Sequence, residues 1–209
     1  MDLLPIFPLP SVVLFPNVFL PLHIFEPRYR NMVADAIEGD RVIGMVLLKP
    51  DWERDYEGRP PTYQVGCSGV VTHAERLHDG RYNIVLRGLE RFRILSEDHT
   101  RSYRRAMIEP WPEPALGTND RQSLNEERRK LEALVAPSAE RAGMGSANTS
   151  AMSDADVINA LAQYLDLEPA EKQALLERPS LESRAQSLVE LLEMKIMMAR
   201  APGPSRFTH

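Results

Sequence analysis

One cysteine, Cys67, is all that this chain of 209 residues contains. It excludes an internal disulfide and a multi-cysteine zinc site, and it fits a reducing, cytoplasmic setting with the thiol buried as apolar filler. No Gly-Lys dipeptide occurs anywhere, so the glycine-rich phosphate cradle with its lysine is missing. There is no Gly-x-Ser-x-Gly elbow for an activated serine. His23, His73, His78 and His99 include no pair at His-x-x-x-His spacing. Enzyme readings therefore lack a nucleophile, a base and a cofactor cradle, and the chain is expected to be non-catalytic and to need no cofactor. The net charge of −5 resides mainly in the second half, and overall acidity argues against phosphate backbones as partners unless basic groups are concentrated locally.

The first 29 residues carry most of the information. Nothing from Leu3 to Phe25 bears a formal charge, so hydropathy alone would suggest a membrane span or signal peptide. Pro5, Pro8, Pro10, Pro16 and Pro21 forbid both. Each lacks a backbone donor and turns its predecessor away from the helical region, and orphaned carbonyls are not tolerated in hydrocarbon. No charged leader precedes the run as a secretion signal requires. The segment reads as extended pieces at the edges and bends of a β-structure, forming the wall of a core.

After Pro27, residues Tyr29, Met32, Val33, Ala36 and Ile37 recur at helical spacing until Gly39. Val42 to Leu48 is a continuous apolar run expected to be a strand covered on both faces. A polar loop, Lys49 to Pro61, follows. Tyr63 to Leu77 and Arg81 to Arg87 read as a hairpin turning at His78-Asp79-Gly80. Gly88 is expected to bend or bulge the chain before Arg91 to Leu95, and Arg104 to Ile108 supplies a further strand. From Ser123 the pattern is helical, with capping-box spacings at Ser123/Glu126 and Ser153/Asp156 and a mobile linker expected from Pro137 to Ser150. Pro169 and Ser180 start two more helices, the last striped by Leu181, Ala185, Leu188, Leu192 and Ile196.

The opening string, ending in Leu22-His23-Ile24-Phe25-Glu26-Pro27-Arg28-Tyr29, resembles the Lon N-terminal domain family, especially its stand-alone bacterial members. The resemblance continues through Val65-Gly66-Cys67, Leu86 to Ile94 and the helices from Asp154 to Ile196. It implies an α+β fold: an N-terminal PUA-like β pseudobarrel with one early helix over residues 1–114, then a C-terminal helical bundle over 115–200, with 201–209 a disordered tail. A full Lon protease adds an ATPase and a serine-lysine peptidase, and the expectation is a recognition domain without that machinery.

By this resemblance the partners are polypeptide clients or a protein partner, and no membrane. Phe25, Trp52, Tyr56 and the Arg91-Arg93 edge are candidate contacts in an apolar groove between barrel and helices. Glu26 and Arg28, part of the family-like motif, straddle a helix start where Glu26 could cap free amides. Trp52 and Tyr56 could equally fold back over the barrel mouth. A carboxylate metal site in Asp51-x-Glu53-x-Asp55-x-Glu57, or one at His73/Glu75/His78, is disfavoured because neither shows a full ligand pattern. Arg87, Arg91, Arg93, Arg101, Arg104 and Arg105 could grip RNA, which makes RNA binding the alternative. The favoured reading of those arginines is as strand side chains paired with nearby carboxylates.

Overall fold

The computed structural model describes residues 3–55, 58–141 and 151–200. Tyr56, the 201–209 tail and most of the expected linker lie outside the described residues. The described residues form six strands and five α-helices, an α+β fold. The strands are β1 (Leu4–Leu9), β2 (Phe19–Ile24), β3 (Val42–Leu47), β4 (Val65–Arg76), β5 (Tyr82–Asp98) and β6 (Arg105–Pro110), with helix α1 (Pro27–Glu38) between β2 and β3. The helical part holds α2 (Thr118–Arg141), α3 (Asp154–Tyr164), α4 (Pro169–Leu176) and α5 (Leu181–Arg200).

The sheet order is β2-β5-β4-β3-β1-β6, and β6 also pairs with β5. The pairings β5-β4-β3-β1-β6-β5 therefore close into a ring, with β2 outside it as an added edge. Closure removes five of the strands from the edge-strand hazard. Inside the ring Ile6, Val46, Phe92 and Ala106 meet from four different strands. Pleating sends the next residue of β1, Phe7, to the other face, where its ring lies 4.4 Å from that of Tyr29 on α1. Alternation along β1 thus serves two apolar layers at once.

Compact packing divides the chain into two units: Met1–Glu113 with Asn159–Arg178, and Pro114–Ile158 with Pro179–His209. The second part of α3 and all of α4 group with the sheet, unlike a single cut after residue 114. A physical reason lies in three buried amides. Gln163 accepts the Phe15 N–H at 3.1 Å and donates to the Val13 carbonyl at 2.9 Å. Asn159, one turn earlier, donates to the Pro16 carbonyl at 3.1 Å, and Gln173 donates to the Val65 carbonyl at 3.0 Å. Val13 to Pro16 belongs to no strand, so these side chains supply the partners that a buried backbone requires.

Several boundaries differ from the sequence reading. β5 is a single strand through Gly88, and the bulge expected there is present: the two steps of β4 from Cys67 to Gly69 face three steps of β5 from Gly88 to Arg91. Gly88 matters for a second reason: a Cβ there would stand 2.0 Å from the Phe15 carbonyl oxygen, which packs against it. Helix α2 begins at Thr118, leaving Ser123 and Glu126 inside it, while the Asp120 carboxylate accepts the Gly117 N–H at its start. The helix also continues through Pro137 to Arg141, the first residues of the expected linker. Ser153 and Ser180 do cap: each hydroxyl oxygen accepts a backbone N–H three residues on, from Asp156 and Ser183. The hairpin turn is as expected, with Gly80 alone in it at positive φ (82°) and Leu77 bonded to Arg81 across it.

Gly88→Ala should cost about 2 kcal/mol, because the obstacle is backbone and cannot swing aside. Urea unfolding measures this, and a cost below about 0.5 kcal/mol, the range of an ordinary surface change, would refute the close approach.

Candidate functional site

Strand β2 combines an open backbone edge with exposed aromatic rings. Its ladder partner is β5, with Leu20 opposite Leu86 and Leu22 opposite Ile84. The Val18 carbonyl accepts the Gly88 N–H, whereas the Phe19 carbonyl turns away and accepts the Tyr164 hydroxyl at 2.8 Å. By the alternation of an antiparallel pair, the backbone groups of Pro21 and His23 also face outward. Pro21 has no donor there and the Phe19 carbonyl is taken by Tyr164, so the edge offers two N–H groups, of Phe19 and His23, and two carbonyls, of Pro21 and His23, enough to align an extended chain and interrupted enough to limit indiscriminate sheet growth.

Around this edge stand Phe19, Phe25 and Tyr164, 50%, 61% and 65% exposed. The Phe25 ring lies 6.4 Å from that of His23, nearly parallel to it. His23 is held by Asn83, which accepts from Nδ1 at 2.8 Å, and by Arg81, which donates to Nε2 at 3.1 Å. Phe25 was expected as a contact; Phe19 and Tyr164 were not. The exposed-on-odd-positions pattern of Phe19, Pro21 and His23 could have revealed Phe19, but Tyr164 is brought to β2 from 145 residues away.

Other candidate residues have structural engagements. Glu26 occupies the position before α1 without a side-chain cap, and its carboxylate instead takes the Arg28 guanidinium at 2.9 Å. Arg28 also lies over the Tyr29 ring, 4.7 Å from its centre. Trp52 is half-buried in a short 3₁₀ turn, Trp52–Asp55. That loop is closed at its base by Lys49 bonding to the Pro61 carbonyl and by Arg104, which donates to the Pro60 carbonyl at 2.7 Å.

Arg91 needs the clearest correction. It is wholly buried and so is no contact for a partner. Its guanidinium donates to the carbonyls of Leu176 and Arg178, where α4 ends, and pairs with Glu113 at 3.1 Å. Trp111 stacks on both Arg91 and Arg93, at 4.2 and 4.3 Å, leaving Arg93 at the exposed end of the stack. The remaining arginines repeat the theme: Arg104 pairs with Glu97, Arg105 with Asp98 at 2.7 Å, and Arg101 with Asp35 at 3.5 Å. Hydrogen bonds from Arg105 hold the Asp98 carboxyl below its ordinary pKa. The arginine cluster is thus largely neutralised, as the paired-strand reading expected.

Among the described residues no three His, Cys, Asp or Glu side chains gather as a metal site would require, and no helix is long and apolar enough to cross a membrane. Cys67 is buried, its thiol directed to the Ser68 carbonyl.

Comparison with known proteins follows the same lines. The family model described as the ATP-dependent protease La (LON) substrate-binding domain matches residues 3–194. The chain belongs to the Lon substrate-binding domain family. It is 28% identical over 202 residues to Lon protease 1 of Herpetosiphon aurantiacus and 27% identical over 203 residues to Lon protease 2 of Myxococcus xanthus. Each match takes in 93% of this chain and 24% of the relative, so this Lon-type domain spans about a quarter of their length. In structure it resembles the N-terminal domain of the Mycobacterium avium complex Lon protease (TM-score 0.70, 17% identity, 92% of this chain and 98% of that one). It also resembles a Lon N-terminal domain protein from Xanthomonas campestris (TM-score 0.58, 21% identity, 97% and 100%). At these identities the two structures attest the Lon N-terminal fold.

Arg91→Ala should destabilise the Lon domain by about 3 kcal/mol or more, since Glu113 and two carbonyls lose their partner in a buried site. Arg87→Ala, on an exposed side chain, should stay within about 0.5 kcal/mol. Equal effects in denaturant titrations would overturn the structural role of Arg91.

Tyr103 gives a pH signature. Burial, reinforced by its 2.6 Å hydrogen bond to Asp35, pushes its phenol up to about 12 from 10.0. The folded state keeps a proton that the unfolded chain releases near pH 10, so the contribution is complete below pH 10 and is lost as pH rises towards 12. Tyr103→Phe should flatten the decline of stability across that window relative to wild type. Parallel declines in denaturant midpoint would contradict this assignment.

Proposed function

We propose that this Lon-family chain is a non-enzymatic polypeptide-recognition module of the cytoplasm, which takes an extended, apolar-rich segment of an unfolded client along the open edge of β2. The observation that carries the reading is the juxtaposition of free, outward-facing backbone groups on β2 with the exposed rings of Phe19, Phe25 and Tyr164. Main-chain hydrogen bonds along a sheet edge give sequence-tolerant affinity, and flanking aromatics select apolar side chains. A family defined by substrate binding supports it. Trp52, Tyr56 and Arg93 are further candidate contacts. RNA binding is less well supported, because Arg91, Arg101, Arg104 and Arg105 already have carboxylate partners.

Fluorescence anisotropy with a labelled unfolded polypeptide and a labelled single-stranded RNA, each at low and near-physiological salt, tests the proposal. Salt-tolerant binding of the polypeptide is expected, weakened at least about tenfold by the triple change Phe19→Ser, Phe25→Ser, Tyr164→Ser. Binding unaffected by the triple change would remove β2 as the site. Steeply salt-dependent binding of RNA alone would transfer the function to the arginines.

A further inference from the structure

Among the described residues, helix α5 loses its cover towards its end. Leu181, Ala185, Leu188 and Val189 are buried, and α5 packs against α2, whose Leu124 and Leu131 are buried too. Beyond Leu131 the cover thins among the described residues. A cleft of about 500 Å³ opens, with Leu134 of α2 on one side and Glu193, Ile196, Met197 and Arg200 of α5 on the other. Met197 is 67% exposed, and Met194 and Met198 beside it are also exposed. Exposed apolar side chains next to an apolar cleft on one surface are the two halves of an interface.

The charges suggest which partner fits. Glu193, Ile196, Met197 and Arg200 fall at helical steps of three, four and seven, so they share one face, with an acid and a base bracketing the apolar pair. Such a face is complementary to itself when two copies meet antiparallel. A two-fold axis between positions 196 and 197 sets Glu193 of each copy opposite Arg200 of the other, and Ile196 opposite Met197. Parallel pairing would instead set like charges together. A two-fold contact makes every favourable pair twice. The unbranched methionine side chain suits an irregular cleft of this kind.

We infer that α5 is the contact surface for a second copy of this chain, the two helices packing antiparallel with Met197 of each seated by the cleft of the other and reciprocal Glu193–Arg200 pairs at its ends. The inference is independent of the proposed client site on β2.

Sedimentation equilibrium of the full chain, wild type and charge variants, tests it. Wild type should dimerise. Glu193→Arg and Arg200→Glu should each weaken the dimer about tenfold or more by placing like charges together twice, and the double variant should restore it. Glu193 also contributes to the field that favours the charged form of Lys130 in its own copy, so the Arg200→Glu arm reads the intermolecular pair more cleanly. Circular dichroism should be unchanged, since both side chains are exposed. A wild type that remains monomeric up to about 100 µM, where even weak interfaces assemble, overturns the inference. So does a dimer that ignores both single reversals, or one that the double reversal fails to restore.

Discussion

The buried amides of Asn159, Gln163 and Gln173 are the constraint on which the sheet-bearing unit depends. Proline makes the opening of the chain unable to complete a ladder, yet its apolar side chains drive Val13, Leu14 and Phe15 into the interior. Burial without hydrogen bonds would leave backbone groups orphaned at a cost of about 1–3 kcal/mol each. Asn159 and Gln163, one helical turn apart on α3, answer three of those groups from a distance of more than 140 residues. This is why a sheet built almost wholly from the first 110 residues takes its last structural parts from helices near the other end of the chain.

Arg91 solves a related problem by charge. A guanidinium carries donors in a fixed fork, and here Nη1 serves the terminal carbonyls of α4, where a cation also suits the dipole, while Nη2 pairs with the Glu113 carboxylate. Trp111 then covers the guanidinium plane and extends it to Arg93. A residue type that suggests a binding surface in the linear sequence becomes a fastening within the unit. What this unit exposes along β2 is the opposite kind of surface: aromatic rings without charge, beside a strand at the edge of the sheet.

Much of this architecture could be read in advance wherever the signal was local. Pro27 and Gly39 bracket α1, Asp79-Gly80 turns the hairpin, Ser153 and Ser180 begin α3 and α5, and the motif around Leu22 to Tyr29 points to the family. Misreadings arose where two rules competed. Ser123 with Glu126 matched a capping spacing inside a helix that had already begun. Of the candidate site, Phe25 was legible from its motif, whereas Arg91 could not be distinguished from the exposed Arg93 two positions on.

By itself the sequence determined the elements, their alternating and helical faces, the absence of a catalytic motif and the kinship with Lon substrate-binding domains. Those depend on the spacing of residues within a few turns or strand steps, which the chain carries in one dimension. Only the tertiary structure decided that β6 closes the ring, that Tyr164 meets β2, that Arg91 is buried and that Met194, Met197 and Met198 of α5 are exposed. Each of these depends on which distant segments come within hydrogen-bonding or van der Waals range, and that is settled by packing all the elements at once.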